Sequence, residues 1–386
     1  MKPTRPRVIH VITRLIVGGA QRTVLELASA LVDEFDVEIV CGPDEGPEGS
    51  LRAAVAEVAP VTVVPALRRD IRPFDDLRAV RQLRHVLEQR QVDVVHTHSS
   101  KAGIIGRRAS PRTARLVHTI HGWGHTPADS APRRWLFVAL ERRAAVRSDA
   151  LVAVSEDTRD EGLRLGIGRA DQYRVIPAGL VDFGLPAGGW AGARARARTE
   201  LGIAPAAEII GWVGRFSDQK DPPTLVRALE QTLLARPEAT AVLVGDGPRR
   251  REAEARLRES AARDRVQFTG LRPDARRLMP AFDVLLHPSR WEGQPLVVKE
   301  ALAERVPVVA TRVSGVNELL GDRRLGAIVA VGDAAGMAEA AVSILEDPRR
   351  RAPVAEEAVA VVAERFGHDR VIAGHRELYR EMVGRR

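Results

Sequence analysis

The 386 residues are 45% hydrophobic and 28% charged, a globular composition long enough for two cores of ordinary size. Cys41 is the one cysteine, which excludes an intrachain disulfide, a cysteine-based metal site and a Cys-x-x-Cys redox motif, and fits a reducing cytoplasm. The formal charge of +8 favours an anionic partner, but it is almost all arginine, with lysine only at Lys2, Lys101, Lys220 and Lys299, which reads more as a genome-wide codon bias than as a binding adaptation.

The basic start Met-Lys-Pro-Thr-Arg-Pro-Arg resembles a secretion signal, but the apolar run after it is short and closed by Arg14, so it reads as a first strand. No stretch approaches the roughly 18 apolar residues of a membrane span. The expectation is a cytoplasmic protein, at most peripheral at the inner membrane face. Aromatic residues are only 4% and are not interleaved with basic ones, which argues against a nucleic-acid module.

Along the chain, short β-rich apolar runs alternate with longer helical patterns, the signal for parallel sheets covered by helices. The first half predicts strands at Val8–Thr13, Val37–Cys41, Val61–Pro65, Val92–His96, Leu116–Ile120, Ala150–Val154 and Tyr173–Ile176. A helix is predicted directly after Gly18-Gly19, where Val24, Leu25, Leu27, Ala28 and Leu31 recur at helical spacing. From Val181 to Pro205 the pattern breaks into Gly188-Gly189, Gly192 and an Ala/Arg run, which predicts a hinge over 182–206. Strands then follow at Glu208–Val213, Thr240–Val244, Val266–Thr269, Val284–His287, Val308–Thr311 and Ala327–Val331, with a last helix at Asp369–Val383. The expected fold class is α/β: Rossmann-like domains over 1–181 and 207–365, doubly wound and facing a central cleft, with a helix over 366–386 packing back on the first.

The residues that carry chemistry fall beyond the carboxyl ends of these strands. Gly18-Gly19 opens a helix, so its backbone can approach a phosphate, although a plain strand-to-helix turn explains it equally well. Arg215 and Lys220 put two cations five residues apart in the loop after the first strand of the second series, suited to a diphosphate or to a solvated surface. The densest run is His287 to Glu300, where Pro295 suits a first helical turn and leaves the N–H groups of Leu296 and Val297 open to an anion. Glu292 and Glu300 come out about 8–12 Å apart on helical geometry. That is wider than the paired carboxylates of a retaining hydrolase, at about 5 Å. His96, His98, His118, His121 and His125 cluster at two strand ends, with readings as a metal site, as buried or capping histidines, or as a cleft-facing His121 beside Gly122 and Gly124.

Together these residues resemble the large fourth family of retaining glycosyltransferases with the GT-B fold, most clearly from Gly211 to Glu318. Its Glu, seven residues, Glu signature is similar to Glu292 and Glu300, and its donor loop to Val213-Gly214-Arg215 with Lys220. Val244–Pro248, Phe268-Thr269-Gly270 and Pro307–Thr311 also match. The resemblance implies that Arg215 and Lys220 neutralise a diphosphate, Glu300 binds ribose hydroxyls, Glu292 contacts the donor sugar and His121 lies near the reacting centre. The implied catalytic set is His121, Arg215, Lys220 and Glu292. Gly18, Gly19, Gly270, Leu271, Gly293, Gln294, Pro295, Leu296 and Val297 complete the implied donor site, and His98, Ser99, Lys101 and Trp123 the acceptor side. No metal and no cofactor are implied, the nucleotide sugar being a substrate.

Two positions depart from the family. Lys299 stands where a small or apolar residue is usual, and would either reach the diphosphate or face solvent. Arg305 stands where glycine is usual, and would alter packing only.

The leading expectation is retaining transfer from a nucleotide diphosphate sugar, UDP-sugars favoured, to a hydroxyl acceptor in polysaccharide, glycolipid or secondary-metabolite assembly. A nucleotide-sugar 2-epimerase and a non-catalytic sugar-nucleotide-binding subunit are the alternatives. The basic stretches Leu67–Arg90 and Arg133–Arg147 read as a contact with an anionic membrane or as solvated helix faces.

Overall fold

The computed structural model describes residues 5–44, 49–126, 129–178, 184, 188–321, 323–347, 354 and 356–384. The chain folds as two compact units, one of Met1–Leu180 with His368–Arg386, the other of Val181–Gly367.

The first unit holds β1 (Arg7–Ile12), β2 (Asp36–Cys41), β3 (Val61–Val63), β4 (Val94–His98), β5 (Arg115–Ile120), β6 (Ala150–Ala153) and β7 (Tyr173–Val175). They form one sheet in the order β3-β2-β1-β4-β5-β6-β7, every pairing parallel. Helices α1 (Gly19–Leu31), α2 (Arg52–Ala56), α3 (Pro73–Arg90), α4 (Ser100–Ala109), α5 (Ala131–Ala145) and α6 (Glu156–Arg164) connect them. Val8, Ile9, Val11 and Ile12 are all wholly buried, as expected of a central parallel strand covered on both faces.

The second unit holds α7 (Gly189–Glu200), β8 (Glu208–Val213), α8 (Pro222–Ala235), β9 (Ala239–Val244), α9 (Arg250–Glu259), β10 (Val266–Gly270) and β11 (Val284–His287). It continues with α10 (Leu296–Ala303), β12 (Val308–Thr311), α11 (Val316–Leu320), β13 (Gly326–Val329), α12 (Ala334–Glu346) and α13 (Glu356–Phe366). Its sheet order is β10-β9-β8-β11-β12-β13, the doubly wound order in which strand succession reverses between the first and fourth strands. The chain then returns to the first unit as α14 (His368–Gly384), where Val371, Ile372, Leu378, Tyr379 and Met382 are buried with α1 and β1 residues. Arg376 and Arg380 both reach Glu34, each at 2.5 Å.

The predicted hinge over 182–206 needs correction, because its described part is largely helix α7. Alanine and arginine are strong helix formers. Ala193, Ala197 and Leu201, four apart, bury one face against the second unit's core. Arg194 and Arg198 reach over to Asp283 at 2.6 and 3.0 Å. Residues 182, 183 and 185–187 of that stretch lie outside the described residues. The fourth strand also begins two residues later than predicted and extends to His98, which places His98 inside the sheet.

Both departures from the family pattern have structural consequences. Lys299 neither faces solvent nor stands among the open groups of the donor loop: it is wholly buried on the inner side of α10, with Nζ 5.4 Å from the centre of the Phe366 ring. Burial lowers its pKa to about 7, against the opposing pull of Glu318. Arg305 does more than alter packing. It takes φ 58°, in the left-handed region, which explains why glycine suits the position.

Arg305→Gly is therefore expected to raise stability. It removes roughly 1–2 kcal/mol of left-handed strain and adds back about 0.5–1 kcal/mol of glycine chain entropy. The lost Arg305–Glu356 pair, 3.2 Å with Glu356 mostly exposed, contributes little. A thermal midpoint one to a few degrees higher, on the scale expected of a domain this size, checks this. A lower midpoint contradicts it.

Candidate active site

In the second unit, the loops after β8 and β11 meet at the point where strand order reverses, the usual place for a ligand in a doubly wound sheet. The β8 loop is clamped by the turn Val244–Pro248. The Gly214 and Phe216 amides donate to the carbonyls of Val244 and Asp246, each at 3.0 Å. Gly245 has φ 143°, and a side-chain carbon there would come within 1.8 Å of the Gly214 carbonyl. Only glycine lets these two backbones touch, and that contact sets where Arg215 and Lys220 stand.

The β8 and β11 loops are then tied side chain to side chain. Lys220 Nζ donates to Glu292 Oε1 at 2.5 Å, while Gln219 Nε2 donates to the Trp291 carbonyl at 3.0 Å and to Glu292 Oε2 at 3.2 Å. His287 Nε2 lies 3.5 Å from Glu292. Although burial pushes the Glu292 carboxyl up, Lys220 and His287 outweigh it and hold the pKa at about 2. Burial, then Lys220, lowers His287. Glu292 is thus an anion across the physiological range, fixed between a cation and a neutral imidazole. Sequence reasoning missed Gln219, and placed His287 at the head of its densest run without giving it a role; the signal for that role was its place as the last residue of a buried strand.

Arg215 is exposed and Glu300 half-buried, both on the same loop-and-helix set as Lys220 and Glu292. Pro295 precedes α10 as its cap rather than opening its first turn, and Leu296 is the first helical residue. Gly293 and Gln294 are buried against Gly315, where a side-chain carbon would come within 2.8 Å of the Gly293 carbonyl. Gly270 ends β10 and Leu271 is about half exposed.

In the first unit, Gly18 caps α1 with extended φ −174°, and a side-chain carbon there would crowd only the flexible end of Gln21, so the backbone does not itself demand glycine; Gly19 begins the helix and is exposed. The histidines form a buried network instead of an open ligand set. His10 Nδ1 bonds His98 Nε2 at 2.9 Å, and His98 Nδ1 bonds His121 Nε2 at 3.0 Å. His96 bonds the Tyr379 hydroxyl at 2.5 Å and the Thr119 hydroxyl at 2.7 Å. His10, His96 and His98 could bring ligand atoms within 4.8 Å of one another. Yet five of their six ring nitrogens are already hydrogen-bonded.

His98 corrects the acceptor-side expectation, being wholly buried with both nitrogens engaged. Trp123 corrects it too. Its indole N–H donates to the Thr158 carbonyl at 3.2 Å and the ring packs on Gly162 of α6. Ser99 bonds Thr13 Oγ1 at 2.8 Å, and Lys101 is paired with Asp76 at 2.6 Å. Both line a groove of about 1320 Å³ among α3, α4 and α5, together with Leu77, Leu136 and Leu140 and with Arg14, Arg69 and Arg133. No helix among the described residues is long and apolar enough to cross a membrane.

Two doubly wound parallel sheets with these loops at their switch points define a GT-B glycosyltransferase fold. Residues 18–179 match the glycosyl transferase 4-like domain, and residues 207–347 match glycosyl transferases group 1. A D-inositol 3-phosphate glycosyltransferase of Xylanimonas cellulosilytica is 34% identical over 76% of this chain and 73% of its own. The UDP-Gal:alpha-D-GlcNAc-diphosphoundecaprenol alpha-1,3-galactosyltransferase of Escherichia coli is 27% identical over 90% of each chain. Among solved structures, Anabaena HepE in complex with UDP and glucose aligns with TM-score 0.81 at 23% identity, covering 97% of this chain and 99% of that one. The chain belongs to this family of glycosyltransferases, joining a glycosyl transferase 4-like domain to a group 1 domain.

The depressed Glu292 pKa makes a prediction with a definite sign. An unfolded glutamate titrates near its ordinary 4.5, the folded one near 2. Its contribution to stability is therefore complete above about pH 4.5 and is lost as pH falls toward 2. The difference in urea midpoint between the wild type and Glu292→Gln should be full at pH 6 and shrink by pH 3. A difference that grows on acidification contradicts the assignment.

Proposed function

We propose that the chain transfers a sugar from a UDP-sugar to a hydroxyl acceptor, with retention of configuration and without a metal ion. The observation that carries this is the Lys220–Glu292 pair held between two loops, with exposed Arg215 on the same loop as Lys220 and α10 beginning soon after Glu292. Arg215, Lys220 and the helix N–H groups would neutralise the two phosphates in place of a divalent cation. Glu300 would accept from the ribose hydroxyls, and His121 would stand at the reacting centre. As the bond from the anomeric carbon to the β-phosphate oxygen breaks, the acceptor oxygen attacks the same face and its proton passes to that phosphate oxygen. The protein then acts by positioning and by fixed charge, with no carboxylate as nucleophile.

The UDP preference is supported by HepE, solved with UDP and glucose, and by the UDP-Gal donor in the name of the Escherichia coli relative. The name of that relative gives alpha-D-GlcNAc-diphosphoundecaprenol as its acceptor, and the groove of the first unit, lined by apolar and arginine side chains, fits an amphiphile with an anionic head. Phe74 and Trp135 stand 86% and 72% exposed in the two basic stretches, which supports peripheral contact with an anionic, inner-face membrane from the cytoplasm.

The test incubates the purified chain with uridine- and guanosine-diphosphate sugars and a polyprenyl-diphosphate sugar acceptor, in excess EDTA and with anionic or neutral vesicles. The expected result is acceptor-dependent UDP release, an α product from an α donor, and pelleting with anionic vesicles only. Activity that returns only with manganese, or an inverted product, contradicts the reading. A new free nucleotide sugar without acceptor identifies an epimerase, and donor binding without turnover identifies a non-catalytic subunit.

A further inference from the structure

The buried histidines of the first unit carry an inference that the reading above does not use. His10 on β1 and His98 on β4 stand on one face of the sheet, and His121 follows β5, whose Thr119 is paired with His98. The three rings form a line of two hydrogen bonds, at 2.9 and 3.0 Å, running from His121 into the core. Burial holds all three imidazoles neutral near pH 7, so each carries a single N–H.

Only two proton orders satisfy both bonds. In one, His10 Nδ1–H donates to His98, His98 Nδ1–H donates to His121 Nε2, and His121 keeps its proton on Nδ1. The other runs in reverse and puts the His10 proton on Nε2. That nitrogen is wholly buried and has no hydrogen-bond partner among the described residues. A buried N–H left without an acceptor costs more than a bare ring lone pair, so the reverse order is disfavoured. A neighbour shows the same choice fixed by a carbonyl, which can only accept: His375 bonds the Val371 carbonyl at 2.9 Å through Nδ1.

We propose that His10 and His98 are positioning residues that fix His121 as a neutral imidazole protonated on Nδ1, a hydrogen-bond donor to substrate oxygen and not a base. This rests on the placement of His121 at the reacting centre. It explains why two histidines are buried in the central strands at the switch point of the first sheet, where aliphatic residues would pack more simply.

The full chain, labelled with 15N-histidine, is examined by two-bond 1H–15N correlation at pH 7, with His121→Gln supplying the assignment. The expected spectrum has protonated Nδ1 and bare Nε2 on His121, His98 and His10. Protonation of His121 on Nε2 overturns the proposal, as does a zinc ion held stoichiometrically by the purified protein. Kinetics add a second reading. His98→Leu removes both bonds and should lower kcat about five- to tenfold, the worth of one hydrogen bond, with UDP affinity unchanged. His98→Gln, which keeps one donor and one acceptor, should recover most of that loss. Equal losses in both variants that follow their thermal midpoints overturn the positioning role. A fully active His121→Ala would count against the placement of His121 and leave the proton order, read directly from the spectrum, untouched.

Discussion

The ion pair between Lys220 and Glu292 is the constraint around which the second unit's site is arranged. It joins two loops that leave adjacent parallel strands and would otherwise diverge, and it does so where both partners are largely shielded from water. A half-buried lysine is costly unless paired, and a carboxylate beside a neutral histidine is costly unless neutralised. Each group therefore fixes the other. Gln219 adds two further bonds across the same gap, and Gly245 lets the neighbouring turn hold the loop from behind by backbone contact. Lys220 is thus held in place by the chain's own residues, the preorganisation that its proposed role on a leaving diphosphate requires.

The first unit solves a different problem with different chemistry. Its switch point between β1 and β4 is filled by imidazoles instead of ions, and α14 covers them with His375 and Tyr379. Neutral rings that satisfy one another can sit in a core without the desolvation penalty of charge. The chain's last helix is therefore part of the polar network of its first domain. His10, His375 and Tyr379 were not singled out from the sequence, because a histidine inside an apolar run gives no hint of partners 88 or 283 residues away.

Much of the fold was legible because parallel strands buried on both faces are continuous apolar runs, as in β8, β11 and β12, whose predicted and observed limits coincide. Lys220 and Glu292, which the structure pairs, both stood out in the sequence because loops at strand ends carry unusual residues at fixed spacing. What failed had physical causes. Between Trp190 and Leu201 the Ala/Arg stretch of α7 carries no large apolar residue, so its buried face of Ala193 and Ala197 was invisible. Lys299 and Arg305 departed from a pattern without revealing that one enters the core and the other adopts a left-handed backbone. His98 and Trp123 looked available because their partners, His10 and Thr158, come from other elements.

The central claim, that Lys220 and Glu292 form one catalytic unit, is tested most directly by a double-mutant cycle in sugar transfer. Lys220→Ala should lower kcat by roughly two to three decades at saturating donor, the scale of losing one preorganised group that stabilises transition-state charge. The Lys220→Ala, Glu292→Gln double variant should then be no slower than Lys220→Ala alone, because the carboxylate acts through the lysine it holds. Losses that add in the double variant, or a Lys220→Ala enzyme that changes only the donor KM, would contradict the account.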